Sequence, residues 1–422
     1  MQNDCLRNYL KNIKNIAIER SYEKPLRVVV GNQGCDPDSV VGSVFTSILR
    51  TIQESKSLSN FKKEFEALCS TNPPQTSTII PFLPLINNET NNFVRDKSDL
   101  NYLNTTFNLG LEEILPSSRL SSIPSVEITL FDHNLPEKNL QKWAQKAKYI
   151  DVVDHHVVSD QSWIKSVPKS DVQQSGSGVS VIARQATNDE LDTINWYFPN
   201  LMKAACVIIL ADSSSFKDEL KGTRWFEYDE AIIGKMQNIC GMSRSETKTH
   251  KKAMKEAVFS LDQFKKPFAH LLAEDQKTFG YVLGGFSDTS KLKKGDKLEI
   301  VFSTLRNSYE NFKKNYGSAM IRSHALQYIE KENAHAVVFM FLCPNDEEEG
   351  GSKRDMVVFS KDAPFARAIG QCMINKGLNM HFVFEVPGPK TDDSPMVSYR
   401  FVNPSSDVSR KIAEGALRTV LE

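Results

Sequence analysis

The sequence predicts an α/β protein: an amino-terminal domain with a mainly parallel sheet flanked by helices, then a smaller α+β domain. Three observations carry this expectation. Leu26–Val30 is a short run apolar on both faces, as expected of a strand buried inside a parallel sheet. The loop Asn32–Ser39 follows it, and helical spacing over Val40–Ile52 comes next, which makes a strand–loop–helix unit. The same order recurs downstream, with apolar runs that end abruptly in Asp or His.

In chain order, Asn8–Glu19 has the spacing of an amphipathic helix, and Pro25 leads into the first strand. Asp38 or Ser39 is expected to cap the helix after the first loop. Thr78–Leu85 is apolar with two prolines, which predicts a strand leaving the sheet. Val126–Phe131 reads as a strand running into Asp132-His133-Asn134, Leu140–Lys148 as a helix, and Tyr149–Val153 as a strand running into Asp154-His155-His156. Ser175–Gln185 begins with a small-residue turn, Ser175-Gly176-Ser177-Gly178, and continues as a helix start. Ala204–Leu210 is apolar and leads to Ala211-Asp212-Ser213; helix end and strand both fit it.

The polar, locally basic stretch Gly241–Glu256 reads as the join between domains, giving a first domain over 1–245, a linker over 246–256 and a second domain over 257–422. Beyond it, strands are expected at Tyr281–Gly285, Ala336–Cys343, Met356–Ser360 and Phe382–Val386, with a helix around Ser308–Glu332 and another over Asp407–Leu421. Asn345–Asp355 and Pro387–Pro395 are expected to be mobile surface loops.

Composition excludes several classes. The 422 residues carry 52 Lys+Arg and 52 Asp+Glu, so a globally basic coat for nucleic acid is not expected. No apolar run approaches the roughly 20 residues that span a bilayer. The first residues hold no continuous apolar segment of the signal-peptide kind. Seven widely spaced cysteines, with no CxxC pair, suit a reducing compartment. The expectations are a cytoplasmic monomer with neither membrane nor nucleic-acid partners.

The chemistry sits at the ends of the apolar runs. They deliver Asp36 and Asp38, then Asp132, then Asp154, His155 and His156, then Asp212. Such oxygen and nitrogen donors suit Mg²⁺, Mn²⁺ and Co²⁺. Asp36 and Asp38, spaced i, i+2 on a tight loop, can each serve one of two neighbouring cations, and a carboxylate from an adjacent strand can bridge both. Each cluster alone has a plainer explanation: a turn with a helix cap, a loop, a hydrogen-bonded core histidine. Four such clusters after apolar runs in one α/β domain are hard to explain as independent caps.

Taken together, Gly31-Asn32-Gln33-Gly34-Cys35-Asp36-Pro37-Asp38-Ser39, Phe131-Asp132-His133-Asn134, Asp154-His155-His156 and Ala211-Asp212-Ser213 resemble the four motifs of the DHH phosphoesterase superfamily. Ser175–Gly178 stands where that superfamily has its small-residue turn. Asp275-Gln276-Lys277-Thr278-Phe279 and Ser409-Arg410-Lys411 resemble segments of the second type of DHH-associated domain. The resemblance runs from about Leu26 to the end of the chain. Within it, the manganese-dependent family II inorganic pyrophosphatases carry His where this chain has Asn32; the exopolyphosphatase and prune-like group carries Asn. Asn32 therefore favours the latter, and losing an imidazole donor leaves Mg²⁺ acceptable.

The resemblance implies two divalent cations, Mg²⁺ or Mn²⁺ with Co²⁺ also acceptable. Asp36 would bind the first, Asp38 the second, and Asp132 both; His155 and Asp212 would complete the ligands of the second metal. His156 would hydrogen-bond a phosphoryl oxygen or assist the leaving group, and Asp154 would orient the histidines. Lys277, Arg410 and Lys411 would grip phosphate from the second domain. The implied activity is release of orthophosphate from the end of inorganic polyphosphate, by attack of a hydroxide bridging the metals, in a cleft between the domains. The alternatives are an inorganic pyrophosphatase, a prune-like short-chain polyphosphatase or cyclic-nucleotide phosphodiesterase, and a regulatory scaffold without turnover. Two departures stand out. Ile412-Ala413-Glu414 follows Ser409-Arg410-Lys411 where relatives carry a further basic or Gln residue and an apolar run, and the acidic 345–355 insertion is expected to lie away from the site.

Overall fold

The computed structural model describes residues 4–20, 24–71, 77–88, 97–143, 145–158, 160–284, 292–344, 352–375, 381–385, 397–403 and 410–421. The chain forms two compact units, Met1–Ala257 and Val258–Glu422.

The first unit is built on a six-stranded parallel sheet of order β3-β2-β1-β4-β5-β6. Its strands are β1 (Leu26–Val30), β2 (Leu83–Ile86), β3 (Leu115–Pro116), β4 (Val126–Phe131), β5 (Ala147–Asp154) and β6 (Lys169–Val172). β1 and β4 match the expected spans residue for residue. The helices used below are α1 (Cys5–Arg20), α2 (Pro37–Ser55), α3 (Gly178–Arg184), α4 (Pro199–Asp212), α5 (Glu227–Cys240) and α6 (Arg244–Val258). Both faces of the sheet are covered, so the central strands and α2 are buried along most of their length, which is why the strands read as nearly continuous apolar runs.

Two expectations change, and two further stretches take definite form. Thr78–Leu85 does not leave the sheet: its end becomes β2, which pairs with β1 in register Val29↔Pro84. Leu140–Lys148 is not one helix. A short helix covers Lys138–Gln141, and the chain has already entered β5 at Ala147, because pairing with β4 outweighs local helical spacing. Ala204–Leu210 belongs to α4, apolar all round because it is buried all round. The stretch read as a linker is helix α6, inside the first unit. Among the described residues, no single helix is long and apolar enough to cross a membrane.

The second unit holds a mixed sheet of order β11-β12-β10-β9-β8-β7, from β7 (Gln276–Val282), β8 (Lys297–Arg306), β9 (Ala336–Pro344), β10 (Ser352–Ser360), β11 (His381–Glu385) and β12 (Val397–Asn403). All pairs are antiparallel except β8 with β9. That parallel pair needs a crossover, which two helices supply, Tyr309–Tyr316 and Ser318–Lys331, broken at Gly317 with φ +79° where one helix was expected. Strand alternation separates two cores. Ile300, Phe302, Val338, Met340, Met356 and Val358 face α7 (Ala363–Asn375) and α8 (Arg410–Leu421); Val301, Val337, Phe339, Val357 and Phe359 face the helices on the other side. Strands β8 and β12 and helix α7 were not anticipated. Ser352–Asp355, expected in a mobile loop, is the start of β10. The rest of that acidic segment (345–351), Gly285 and Pro387–Pro395 lie outside the described residues.

Candidate metal centre

Strand order reverses between β1 and β4: successive strands go to one side (β2, β3) and then to the other (β5, β6). At such a switch point the loops leaving the carboxyl ends of the two central strands part, and a crevice opens. Three of the four acidic motifs follow β1, β4 and β5, so the topology brings them to this edge of the sheet, and Asp212 comes from the carboxyl end of α4.

After β1 the chain turns tightly. A Cβ on Gly31 would sit 2.4 Å from Ser39 Oγ and 2.7 Å from Ser39 O, so only glycine allows this approach. The Asn32 N–H donates to Ser39 Oγ at 2.6 Å, the Cys35 N–H donates to Asn32 Oδ1 at 3.1 Å, and Cys35 adopts φ +47°. α2 then starts at Pro37, earlier than expected. The cap is Asp36, whose Oδ1 accepts the Ser39 N–H at 2.9 Å, and not Asp38 or Ser39. Asp38 is thereby held in the first turn, pointing inward. Its Oδ1 accepts from Ser177 Oγ at 2.6 Å and the Val179 N–H at 3.1 Å, and its Oδ2 accepts the Gly178 N–H at 2.8 Å.

Asp132 follows β4 with φ +62°, a left-handed turn that Asp tolerates better than most side chains. Its N–H donates to Val153 O at 2.9 Å, which aims the carboxylate across the end of the sheet. Asn32 Nδ2 donates to Asp132 Oδ2 at 2.5 Å, and His155 Nε2 stands 3.1 Å from Asp132 Oδ1 and 3.7 Å from Asp38 Oδ2. His155 Nδ1 lies 3.0 Å from the Ser175 carbonyl, which can only accept, so Nδ1 carries a proton and Nε2, facing two carboxylates, is the nitrogen that could serve a cation when the ring is neutral. Asp154, the last residue of β5, accepts the His155 N–H at 2.8 Å, the His156 N–H at 3.2 Å, His156 Nδ1 at 2.7 Å and Asn134 Nδ2 at 2.6 Å. One donor atom from each of Asp132, Asp154, His155 and His156 lies within 4.8 Å of the others.

The electrostatics ask for a cation. Burial pushes the Asp38 carboxyl up against the opposing pull of His155. Burial, then repulsion from Asp36 and Asp38, holds Asp132 well above the usual carboxylate range. Asp212 is raised likewise by burial and by Asp38 and Asp36, and its Oδ2 is buried with no hydrogen-bond partner among the described residues. Asp154 differs: burial opposes its ionisation, but the His156 hydrogen bond, both imidazoles and Asn134 outweigh that and hold it low. An imidazole nitrogen facing carboxylates, an orphaned carboxylate oxygen and mutually repelling acids form a donor set that suits divalent cations. Asp36, Asp38, Asp132, His155 and Asp212 fit that task; Asp154 spends its acceptor capacity on the motif's own donors.

In the second unit, Lys277 lies on the edge strand β7, paired with Phe302, and is half-buried. Helix α8 runs beside β7 in the same direction: Leu421 O accepts the Gly284 N–H, and the Arg418 guanidinium lies 5.2 Å from the Tyr281 ring. Its first turn, with Arg410 and Lys411, is thus toward the end of β7 where Lys277 begins the strand. Ser409 lies outside the described residues.

Sequence reading gave no role to Ser177, Asn134 or the Ser175 carbonyl, which position Asp38, Asp154 and His155. Ser175–Gly178 was visible as a turn, and a Cβ on Gly176 would meet Ser213 Oγ at 2.3 Å, but which acid it served depends on the tertiary fold.

Comparison of the sequence with family models and with curated proteins gave no match. Among solved structures, the fold is similar to that of a Methanococcus jannaschii protein provisionally named a family II inorganic pyrophosphatase, with TM-score 0.55, 16% identity and coverage of 94% of this chain and 99% of that one. The two-unit α/β fold described above is therefore the fold of that structure, shared over nearly the whole of both chains.

Proposed function

We propose that the chain is a divalent-cation-dependent hydrolase of phosphoanhydrides, acting at the end of inorganic polyphosphate. What supports this reading is His155 Nε2 facing Asp132 and Asp38, the electrostatic influence of Asp36 and Asp38 on Asp132 and Asp212, and the orphaned Asp212 Oδ2. These five would hold two cations, Mg²⁺ or Mn²⁺, with Co²⁺ also acceptable. When bound, such cations neutralise phosphoryl charge and acidify water. The protein's part is positioning. Ser177 and the α3 amides fix Asp38, the Ser175 carbonyl fixes the His155 tautomer, and Asn32 fixes Asp132. Asp154 is an acceptor, so it keeps the proton of His156 on Nδ1; a protonated His156 can then donate from Nε2 to a phosphoryl or leaving oxygen. Lys277, Arg410 and Lys411 are the cations assigned to phosphate in this reading.

Asn32 favours polyphosphate over pyrophosphate. In the sequence resemblance, the pyrophosphatases carry a histidine at this position; here the side chain is spent as a donor to Asp132 and adds no nitrogen ligand. The second reading, an inorganic pyrophosphatase, draws on the likeness to the M. jannaschii structure. Orthophosphate release from pyrophosphate, tripolyphosphate, long-chain polyphosphate and cyclic AMP, with Mg²⁺ and with Mn²⁺, separates them. Polyphosphate is expected to give the highest kcat/KM; pyrophosphate as the best substrate refutes the Asn32 argument.

A further inference from the structure

The small-residue turn Ser175–Gly178 touches the surroundings of several ligands, and α5 holds that turn. The Ser175 carbonyl faces His155 Nδ1 at 3.0 Å, Ser177 Oγ and the Gly178 N–H donate to Asp38, and a Cβ on Gly176 would meet Ser213 Oγ, next to Asp212. Asp229, in the first turn of α5, is fully buried. Its Oδ1 accepts from Ser175 Oγ at 2.5 Å, and its Oδ2 accepts the Gly176 N–H at 3.0 Å and the Phe226 N–H at 2.8 Å. The Phe226 bond serves the start of α5 itself. The other two cross to the turn. Beside them the Tyr228 hydroxyl donates to the Gln174 carbonyl, so the first turn of α5 grips the segment at consecutive residues.

One peptide unit connects Asp229 to His155. The Ser175 carbonyl and the Gly176 N–H share a peptide plane, and in a trans peptide they point in opposite directions. Asp229 draws the N–H to one side, which turns the carbonyl to the other, toward His155 Nδ1. A flipped peptide would break both bonds and set a carbonyl oxygen against a buried carboxylate. The donors run in series, from the His155 Nδ1 proton through this amide to the Asp229 carboxylate, and each polarised bond strengthens the next. Histidines that bind metals commonly donate their other N–H to a carboxylate. Here a peptide unit stands between the two.

We propose that Asp229 is a positioning residue: through the Ser175–Gly176 peptide it keeps the His155 proton on Nδ1 with Nε2 turned to the cation site, and through the same turn it keeps Ser177 against Asp38. This rests on the proposed function for the role of His155 and Asp38 as cation ligands. Helix α5 supplies none of those ligands, yet its first turn governs how tightly the first unit holds its cations.

Asp229→Ala, Asp229→Asn and Ser175→Ala are to be compared with the wild type as full chains. Mn²⁺ affinity is read by titration calorimetry. The His155 tautomer is read by NMR from its ring-nitrogen chemical shifts in metal-free protein at pH 8, with the signals assigned by their loss in His155→Gln. Asp229→Ala is expected to raise the Mn²⁺ Kd at least about tenfold and to turn the single Nδ1–H tautomer into a mixture. An asparagine at 229 keeps one oxygen for the Gly176 and Phe226 N–H groups, and its amide can donate to Ser175 Oγ, whose hydroxyl then turns to the Ser177 carbonyl 2.9 Å away. Asp229→Asn is therefore expected to stay within about threefold of the wild-type Kd. Ser175→Ala leaves the start of α5 intact and is expected to raise the Kd about threefold, the loss of one hydrogen bond to the turn. A lower Tm in Asp229→Ala with wild-type Mn²⁺ affinity and tautomer means that Asp229 only caps α5; it overturns the positioning role and leaves the proposed function standing. If Asp229→Ala does not fold, wild-type affinity and tautomer in Ser175→Ala overturn the positioning role. Mn²⁺ binding that depends on Asp229 in a protein that hydrolyses no phosphoanhydride supports the positioning role and overturns the proposed function. A wild type that binds no Mn²⁺ overturns both.

Discussion

Asp132→Asn isolates what the carboxylate cluster contributes with and without cations. Asparagine suits the left-handed backbone at this position, so the change adds no conformational cost of its own. It also completes the local network. Asn Oδ1 can accept from Asn32 Nδ2, and Asn Nδ2 can donate to His155 Nε2 of a neutral ring whose Nδ1 proton is bound to the Ser175 carbonyl. What it removes is an acid whose charged form burial, Asp36 and Asp38 disfavour, and whose oxygen lies within 4.8 Å of an Asp154 oxygen, where two full charges would repel by about 3.5 kcal/mol at an effective dielectric near 20. Protonation of Asp132, which its raised proton affinity favours, and the imidazoles beside Asp154 offset part of that repulsion, so a net relief of at most about 1–2 kcal/mol is expected. For a unit of 257 residues this raises Tm by about 2–8 °C. Thermal unfolding is to be measured in EDTA and in saturating Mn²⁺. The variant should melt above the wild type in EDTA and below it in Mn²⁺, because it loses a ligand. A lower Tm in EDTA, or equal stabilisation of both proteins by Mn²⁺, refutes the reasoning.

Three further outcomes are expected. A Cβ on Gly42 of α2 would meet the Phe131 ring at 2.2 Å, and Phe131 immediately precedes Asp132, so Gly42→Ala should cost about 1–3 kcal/mol by overpacking and weaken Mn²⁺ binding; unchanged Mn²⁺ affinity by titration calorimetry contradicts the coupling. Burial opposes ionisation of Glu64, but hydrogen bonds from Thr78, Ser77 and Ile79 outweigh it and hold the carboxyl at about 2. A lowered pKa gives stability that is complete above about 4.5 and lost as pH falls through about 2, so the urea-midpoint gap between wild type and Glu64→Gln should shrink between pH 6 and pH 3, and a constant gap contradicts it. Lys277→Ala should raise KM for polyphosphate severalfold without altering Mn²⁺ affinity; unchanged kinetics would return Lys277 to the role of a surface charge.

The parts legible in the sequence share one property: local pattern and tertiary environment agree there. β1 and β4 are apolar on both faces because they are buried on both faces, and each ends where an acid must leave the sheet. The ambiguity at Ala204–Leu210 has the same origin, since a helix buried all round loses the amphipathic period that distinguishes it from a strand. β2 was misjudged because its prolines argue against a central strand, yet Pro84 sits in register with Val29. β8 and β12 were missed because sheet pairing between residues far apart in sequence defines them. At the site, Asp and His identities were legible from their placement after apolar runs. Which carboxylate accepts from Ser177, which imidazole nitrogen is protonated, and that Asp229 reaches Ser175 all depend on contacts across tens of residues.

The central claim is that Asp36, Asp38, Asp132, His155 and Asp212 together hold catalytic divalent cations. Anomalous diffraction at the manganese edge, from crystals of the full chain grown with Mn²⁺, tests it most directly. Two peaks sharing the Asp132 carboxylate are expected, with oxygen ligands at about 2.1 Å. Density elsewhere on the molecule, or a single peak ligated without Asp132, would contradict it.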